Sequence, residues 1–155
     1  MLSAAKTHVE RAGTDEKSFC DVFALLLELY REGGYWRLNL DKAAKNCFST
    51  LTENMTFIAR DDNGRAIGVL GLREIDPWFS DDTYLQGTWF YVRPEHRKGR
   101  VGVDLMRAAA AEGDARNKIV LCGTDNCDRR RKKTQLGLMF ELAGWIPIGY
   151  DLRLR

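Results

Sequence analysis

The segment Val92-Arg93-Pro94-Glu95-His96-Arg97-Lys98-Gly99-Arg100-Val101-Gly102-Val103-Asp104-Leu105 holds the densest chemistry in the chain. It falls where a β-strand ends, at a proline that cannot donate to a ladder, and a helix begins. The first N–H groups of a helix have no intrahelical partner and can point at an anion. Gly99 and Gly102 remove side chains where backbone must approach a ligand closely. Arg97, Lys98 and Arg100 place three positive charges around the same turn. The natural ligand is a diphosphate. Taken alone, the segment leaves two readings open, a phosphate-bearing ligand or a solvated basic helix start.

Three further groups of residues bear on chemistry. Glu74, Asp76, Asp81 and Asp82 surround Pro77-Trp78-Phe79. They read either as a solvated loop with a buried aromatic anchor or as an acceptor site whose carboxylates attract an ammonium and take its proton through water. Glu74 is the first choice of base, since it ends a strand. Asp128-Arg129-Arg130-Arg131-Lys132-Lys133 opens the last predicted helix, where cations oppose the helix dipole. That run reads as a solvated loop, as a phosphate contact or, least favoured, as a nucleic-acid contact. Cys20, Cys47, Cys122 and Cys127 are scattered without a CxxC pair, and His8 and His96 are the only imidazoles. The pattern predicts reduced thiols and no metal site. His96 reads as a surface residue of the basic turn, and Trp89 and Tyr91 as core or cleft wall.

These groups need a scaffold, and 155 residues suit one domain, 1–155. Apolar residues make up 45% and charged residues 30%, ordinary globular values that argue against disorder. A net charge of +2 excludes a strongly basic nucleic-acid coat. No apolar run approaches a bilayer span and the N-terminus lacks a secretion signal, so the expected location is cytoplasmic, with no membrane partner.

The elements follow from periodicity. A strand is predicted over Lys6 to Ala12, then a helix from Thr14-Asp15-Glu16 to Gly33-Gly34 carrying Phe19, Val22, Phe23, Leu26, Leu27 and Tyr30. A second helix, capped by Asn39, carries Leu40, Ala43, Ala44, Cys47, Phe48 and Leu51 on one stripe. Met55 to Arg60 and Arg65 to Ile75 read as strands joined at Asp61-Asp62-Asn63-Gly64, and Tyr84 to Arg93 as a third. A helix from Arg100 to Gly113, a strand from Lys118 to Gly123, a helix ending at Gly144 and a strand from Trp145 to Leu154 complete the chain. The order β-αα-βββ-α-β-α-β implies an α/β domain with a mixed sheet flanked by helices.

V-x-P-E-H-R-K-G-R-V-G-x-x-L resembles the acyl-coenzyme-A-binding segment of the GNAT superfamily of N-acetyltransferases, (Q/R)-x-x-G-x-(G/A) after a V-x-P strand end. The element order and the ending Phe140-Glu141-Leu142-Ala143-Gly144-Trp145 resemble that family as well, so the likeness spans nearly the whole chain. Two positions depart from it. Arg100 stands where the first glycine is usual, with Gly99 one place earlier. Phe140 stands where many members carry a tyrosine that reprotonates the leaving thiolate.

The resemblance implies a GNAT fold, an antiparallel meander plus parallel strands that splay apart. It implies direct transfer of an acetyl group from acetyl-coenzyme A to the amine of a small-molecule or peptide acceptor, without a covalent enzyme intermediate and without a metal. Tyr91, Val92 and Arg93 would then bind the pantetheine arm, and Arg97, Lys98, Gly99, Arg100, Val101 and Gly102 the diphosphate. Arg130 and Lys132 would meet the 3′-phosphate. The Val92 N–H would be the oxyanion donor, Glu74 the base, and water the acid that replaces the missing tyrosine. The rival of another class is an acyl-coenzyme-A-binding module without turnover. A homodimer is left open.

Overall fold

The computed structural model describes residues 7–34, 37–122 and 141–146. Five strands form one sheet in the order β1 (His8–Arg11), β2 (Thr56–Arg60), β3 (Ala66–Ile75), β4 (Tyr84–Val92) and β5 (Val120–Leu121). The first four are antiparallel neighbours, and β5 joins β4 in parallel. Helices α1 (Glu16–Gly33), α2 (Leu40–Thr52) and α3 (Val101–Arg116) cover the sheet. The mixed sheet and the element order through β5 agree with the sequence reading.

Local chemistry sets the boundaries. The Asp15 carboxylate accepts the Ser18 N–H at 3.0 Å and starts α1, while Gly34 at φ 65° stops it. Asn39 caps α2 by accepting the Lys42 N–H at 3.0 Å. The β2–β3 turn closes through Asp61, whose side chain accepts from the N–H groups of Asn63 and Arg65. Helix α3 runs one turn beyond Gly113, and its stop is Asn117 at φ 53°. Gly113 does a different job: a Cβ there would lie 2.3 Å from Val120 and 2.9 Å from the Lys118 carbonyl, so the glycine lets α3 press on β5.

Alternation along the strands separates two cores. Trp89, Tyr91, Val69 and Ile58 meet Val22, Leu25, Leu26 and Leu29 of α1 on one face. Leu70, Leu72, Leu85 and Val92 meet Val101, Leu105 and Ala109 of α3 on the other. The stripe of α2 is narrower than expected. Cys47 and Leu51 are buried, whereas Leu40 and Phe48 are about half exposed, because α2 leans on α1 and reaches little of the sheet. Trp78 and Phe79 are no buried anchor either: they are exposed and pack edge-on against each other 5.7 Å apart.

Gly144 takes the left-handed conformation expected of a helix stop, and its N–H donates to the Glu141 carbonyl at 3.0 Å. The basic run with Arg130 and Lys132, Cys127, Phe140, most of the last helix and the final strand beyond Ile146 lie outside the described residues. No described helix is long and apolar enough to cross a membrane.

Candidate functional site

The site is built on β4. Gly71 pairs with Trp89 and Leu72 with Gly87, so Thr88 is one extra residue, a β-bulge. The parallel ladder to β5 covers only Leu85 and Gln86. Beyond Gln86 the ladder ends, although Cys122 still lies against Gly87, and residues 123–140 are outside the described residues. The Arg93 N–H donates to the Ile67 carbonyl of β3 at 2.9 Å. Hydrogen-bonding direction alternates along a strand, so the Tyr91 N–H also faces β3 and the Val92 N–H faces the opposite side of β4. Of Tyr91, Val92 and Arg93, only Val92 turns its N–H away from β3.

Pro94–His96 form a single 3₁₀ turn that carries the chain from β4 to α3. Arg100 is the capping residue of α3 and supplies no side-chain cap. The first bond of that region runs from the Asp104 N–H to the Arg100 carbonyl at 2.9 Å. The N–H groups of Val101, Gly102 and Val103 are therefore spent neither within the helix nor on a cap. That is the physical definition of an anion site. The bend needs no left-handed residue, since Arg100 sits at φ −86°, ψ −8°. Arg100 is thus accommodated where a glycine is usual, with its side chain turned outward to Asp104 at 3.4 Å. Lys98 and Gly99 are exposed, while Val101 and Gly102 are buried, Val101 against the sheet. Gly68 makes that seating possible, because a Cβ there would meet Val101 and Leu105 at 3.1 Å.

Arg97 occupies a different place from the one its charge suggests. Its Nε donates to the Val92 carbonyl at 2.8 Å, and its two terminal nitrogens grip the Glu32 carboxylate at 2.7 and 2.5 Å. Its guanidinium also lies over the Tyr91 ring, 5.4 Å from the centroid. Arg97 braces the loop to α1. The pair holds Glu32 below the usual carboxylate range, with the Arg97 hydrogen bond as the main cause. Burial, reinforced by Glu32 and Glu28, pushes the Tyr91 phenol up to about 12. Arg93 pairs with Glu28 at 2.9 Å, and its Nε and Nη1 are buried without a hydrogen-bond partner. Sequence reading missed this clasp, although Glu28 and Glu32, one helical turn apart, were its visible half.

Glu74 lies toward the end of β3 whose β4 partner is paired with β5. It pairs with Leu85 while Val92 pairs with Gly68, a separation of roughly 20 Å at ~3.3 Å per residue. Its carboxylate accepts from Thr83 at 2.6 Å and from Lys118 at 3.0 Å. Those contacts, Thr83 first, hold its pKa below the ordinary value and favour the ionised form. Burial raises the Cys47 thiol to about 12 and the Cys122 thiol to about 11, so neither is a thiolate near neutrality. Among the described residues no group of three or more metal-ligating side chains converges.

Beside the bulge, on the α1 face, lies a cleft of about 610 Å³ between α1, the start of α2 and the strands β3 and β4. Tyr30 and Trp89 form its floor, and Gln86, Gly87 and Thr88 its β4 wall. Burial is the main cause that raises the Tyr30 pKa, with Trp89 acting in the opposite direction. The cleft therefore opens on the bulged stretch of β4.

A family model described as the acetyltransferase (GNAT) family matches residues 21–133. The chain belongs to the GNAT acetyltransferases. Solved structures agree on the fold. The aminoglycoside N-acetyltransferase AAC(6')-Iy, in complex with a bisubstrate analogue, is 15% identical with a TM-score of 0.73, each chain covered to 97%. A protein from Clostridium acetobutylicum described as a predicted acetyltransferase, solved with acetyl-CoA, is 15% identical with a TM-score of 0.72, covering 97% of this chain and 96% of that one. A GCN5-related N-acetyltransferase from Ralstonia eutropha is 19% identical with a TM-score of 0.71, covering 97% and 99%. At these identities the likeness is one of fold. Curated proteins give no match to this GNAT chain.

Proposed function

We propose that residues 1–155 act as one N-acetyltransferase domain that moves an acetyl group from acetyl-coenzyme A to an amine. The carrying observation is the uncapped start of α3: free N–H groups for a diphosphate, with a β4 N–H that faces away from β3 in the strand leading into it. The donor set fits the substrate. The N–H groups of Val101, Gly102 and Val103, with Lys98 and Arg100 around them, hold the diphosphate. Arg130 and Lys132 meet the 3′-phosphate.

Chemistry then falls to β4. The Val92 N–H donates to the thioester carbonyl oxygen as negative charge builds there. The amine nitrogen, brought through the cleft over Trp89, forms a bond to the carbonyl carbon as the carbon–sulfur bond breaks. The proton lost by the amine goes to water, and the departing thiolate takes one from water. Both cysteine thiols near the site stay protonated, which suits transfer without a covalent enzyme intermediate.

The full chain, mixed with acetyl-coenzyme A and a panel of amines, should release free thiol only when an amine is present. Mass spectrometry should find the acetyl group on that amine. Tight binding of acetyl-coenzyme A with no amine acetylated would contradict the transferase reading.

A further inference from the structure

The cleft beside the bulge has a charge pattern that bears on its ligand. Arg37, Lys42 and Arg73 line it, and no Asp or Glu is among its described lining residues. Arg73 is paired with Glu53 at 2.7 Å, while Arg37 and Lys42 have no ion-pair partner among the described residues. These cations come from three places, the α1–α2 connection, the first turn of α2 and strand β3. Their convergence on one opening is a product of the fold.

Two further features point the same way. The first turn of α2 lies in the same wall, so the positive end of a 13-residue helix adds to the field. Thr88 is among the residues lining the cleft, and its hydroxyl, buried against Gly71, has no hydrogen-bond partner among the described residues. A buried hydroxyl without a partner is costly unless a ligand satisfies it. Asn39, Asn46 and Gln86 supply neutral polar groups, and Leu26, Tyr30 and Trp89 an apolar floor.

Resting on the transferase reading above, we propose that the acceptor is a small amine carrying an anionic group, a carboxylate or a phosphate. Arg37 and Lys42 receive the anion at the mouth, and the floor takes the apolar part of the molecule. The amine is directed toward the bulge and Val92. A polycationic amine such as an aminoglycoside meets like charge in this cleft and is rejected.

The test uses the full chain, acetyl-coenzyme A and matched amines. These are L-amino acids against their carboxamides, phosphoethanolamine against ethanolamine, and neamine and spermidine as polycations. The anionic member of a pair should have a kcat/KM at least about tenfold higher, the scale of one charge-assisted contact. The amino-acid and phosphoethanolamine arms show which anion is preferred. Arg37→Gln and Lys42→Gln should shrink the preference, raising KM for the anionic member and not for the member that lacks the anion. Preference for carboxamides or polycations, or equal losses for both members of a pair, would overturn the proposal. If no amine is acetylated, calorimetry on the coenzyme-A-loaded protein still decides. Selective binding of N-acetyl amino acids over their carboxamides, lost in Arg37→Gln, would sustain the cleft assignment while the transferase reading falls. Equal binding of the two would overturn it.

Discussion

Replacing Arg97 with alanine should damage folding more than ligand binding, and the structure gives the size of the effect. Three contacts are lost. The Nε bond to the Val92 carbonyl is part-buried and made by a charged donor, which is worth ~1.5–3 kcal/mol. The Glu32 pair is about 40% and 47% exposed, so solvent screens it to ~0.2–1 kcal/mol despite its short distances. The contact over Tyr91 adds ~0.5–1 kcal/mol. Allowing for overlap, Arg97→Ala should lose ~2–4 kcal/mol, a fall of roughly 5–15 °C in Tm for a chain of this size. Glu32→Gln removes only the screened pair and should lower Tm by ~1–3 °C. Differential scanning calorimetry of both variants tests the contrast. Below its melting range, Arg97→Ala should still bind coenzyme A within about tenfold of wild type, since the helix N–H groups remain. Equal Tm losses in the two variants, or an intact Tm with coenzyme A binding abolished, would refute the brace and return Arg97 to the phosphate.

Glu112 is buried between Arg11 and Arg116, each at 2.6 Å, and the Arg11 hydrogen bond is the main cause holding it below its ordinary 4.5. A depressed folded pKa adds stability above the unfolded value, and that stability is lost as pH falls through the folded one. Tm should therefore drop more steeply below about pH 4.5 in wild type than in Glu112→Gln; parallel curves would contradict this. Glu74→Gln should leave kcat essentially unchanged, whereas a loss of ~10²-fold or more would make it the base after all. Arg130→Glu with Lys132→Glu should weaken coenzyme A more than 3′-dephospho-coenzyme A; calorimetry showing equal losses would reduce the run to a general field effect.

Features written in consecutive residues were legible before the fold was known. Asp15, Asn39 and Gly34 act on backbone groups within one turn, and Asn63-Gly64 on its own hairpin, so their sequence neighbourhood determines them. The start of α3 was legible for the same reason. Features made by distant residues were not. Glu32 and Arg97 are 65 positions apart, and nothing local marks them as partners. The bulge at Thr88 is a mismatch in count between two strands, invisible until both are paired. Glu74 ends a strand as predicted, but where β5 joins the sheet is set by the two-residue ladder of Leu85 and Gln86, which no local pattern marks. The predicted helix ends at Gly113, while in the fold α3 continues to Arg116 and the bare backbone of Gly113 admits Val120.

The central claim is that the first turn of α3 holds a diphosphate with backbone N–H groups. Titration calorimetry of coenzyme A into wild type and Gly102→Glu, with a melting curve of each, tests it most directly. Wild type should bind, and the glutamate, placing a side chain and a negative charge at those donors, should abolish binding while the chain remains folded. Wild-type affinity in a folded Gly102→Glu protein, or no coenzyme A binding by wild type, would contradict the account.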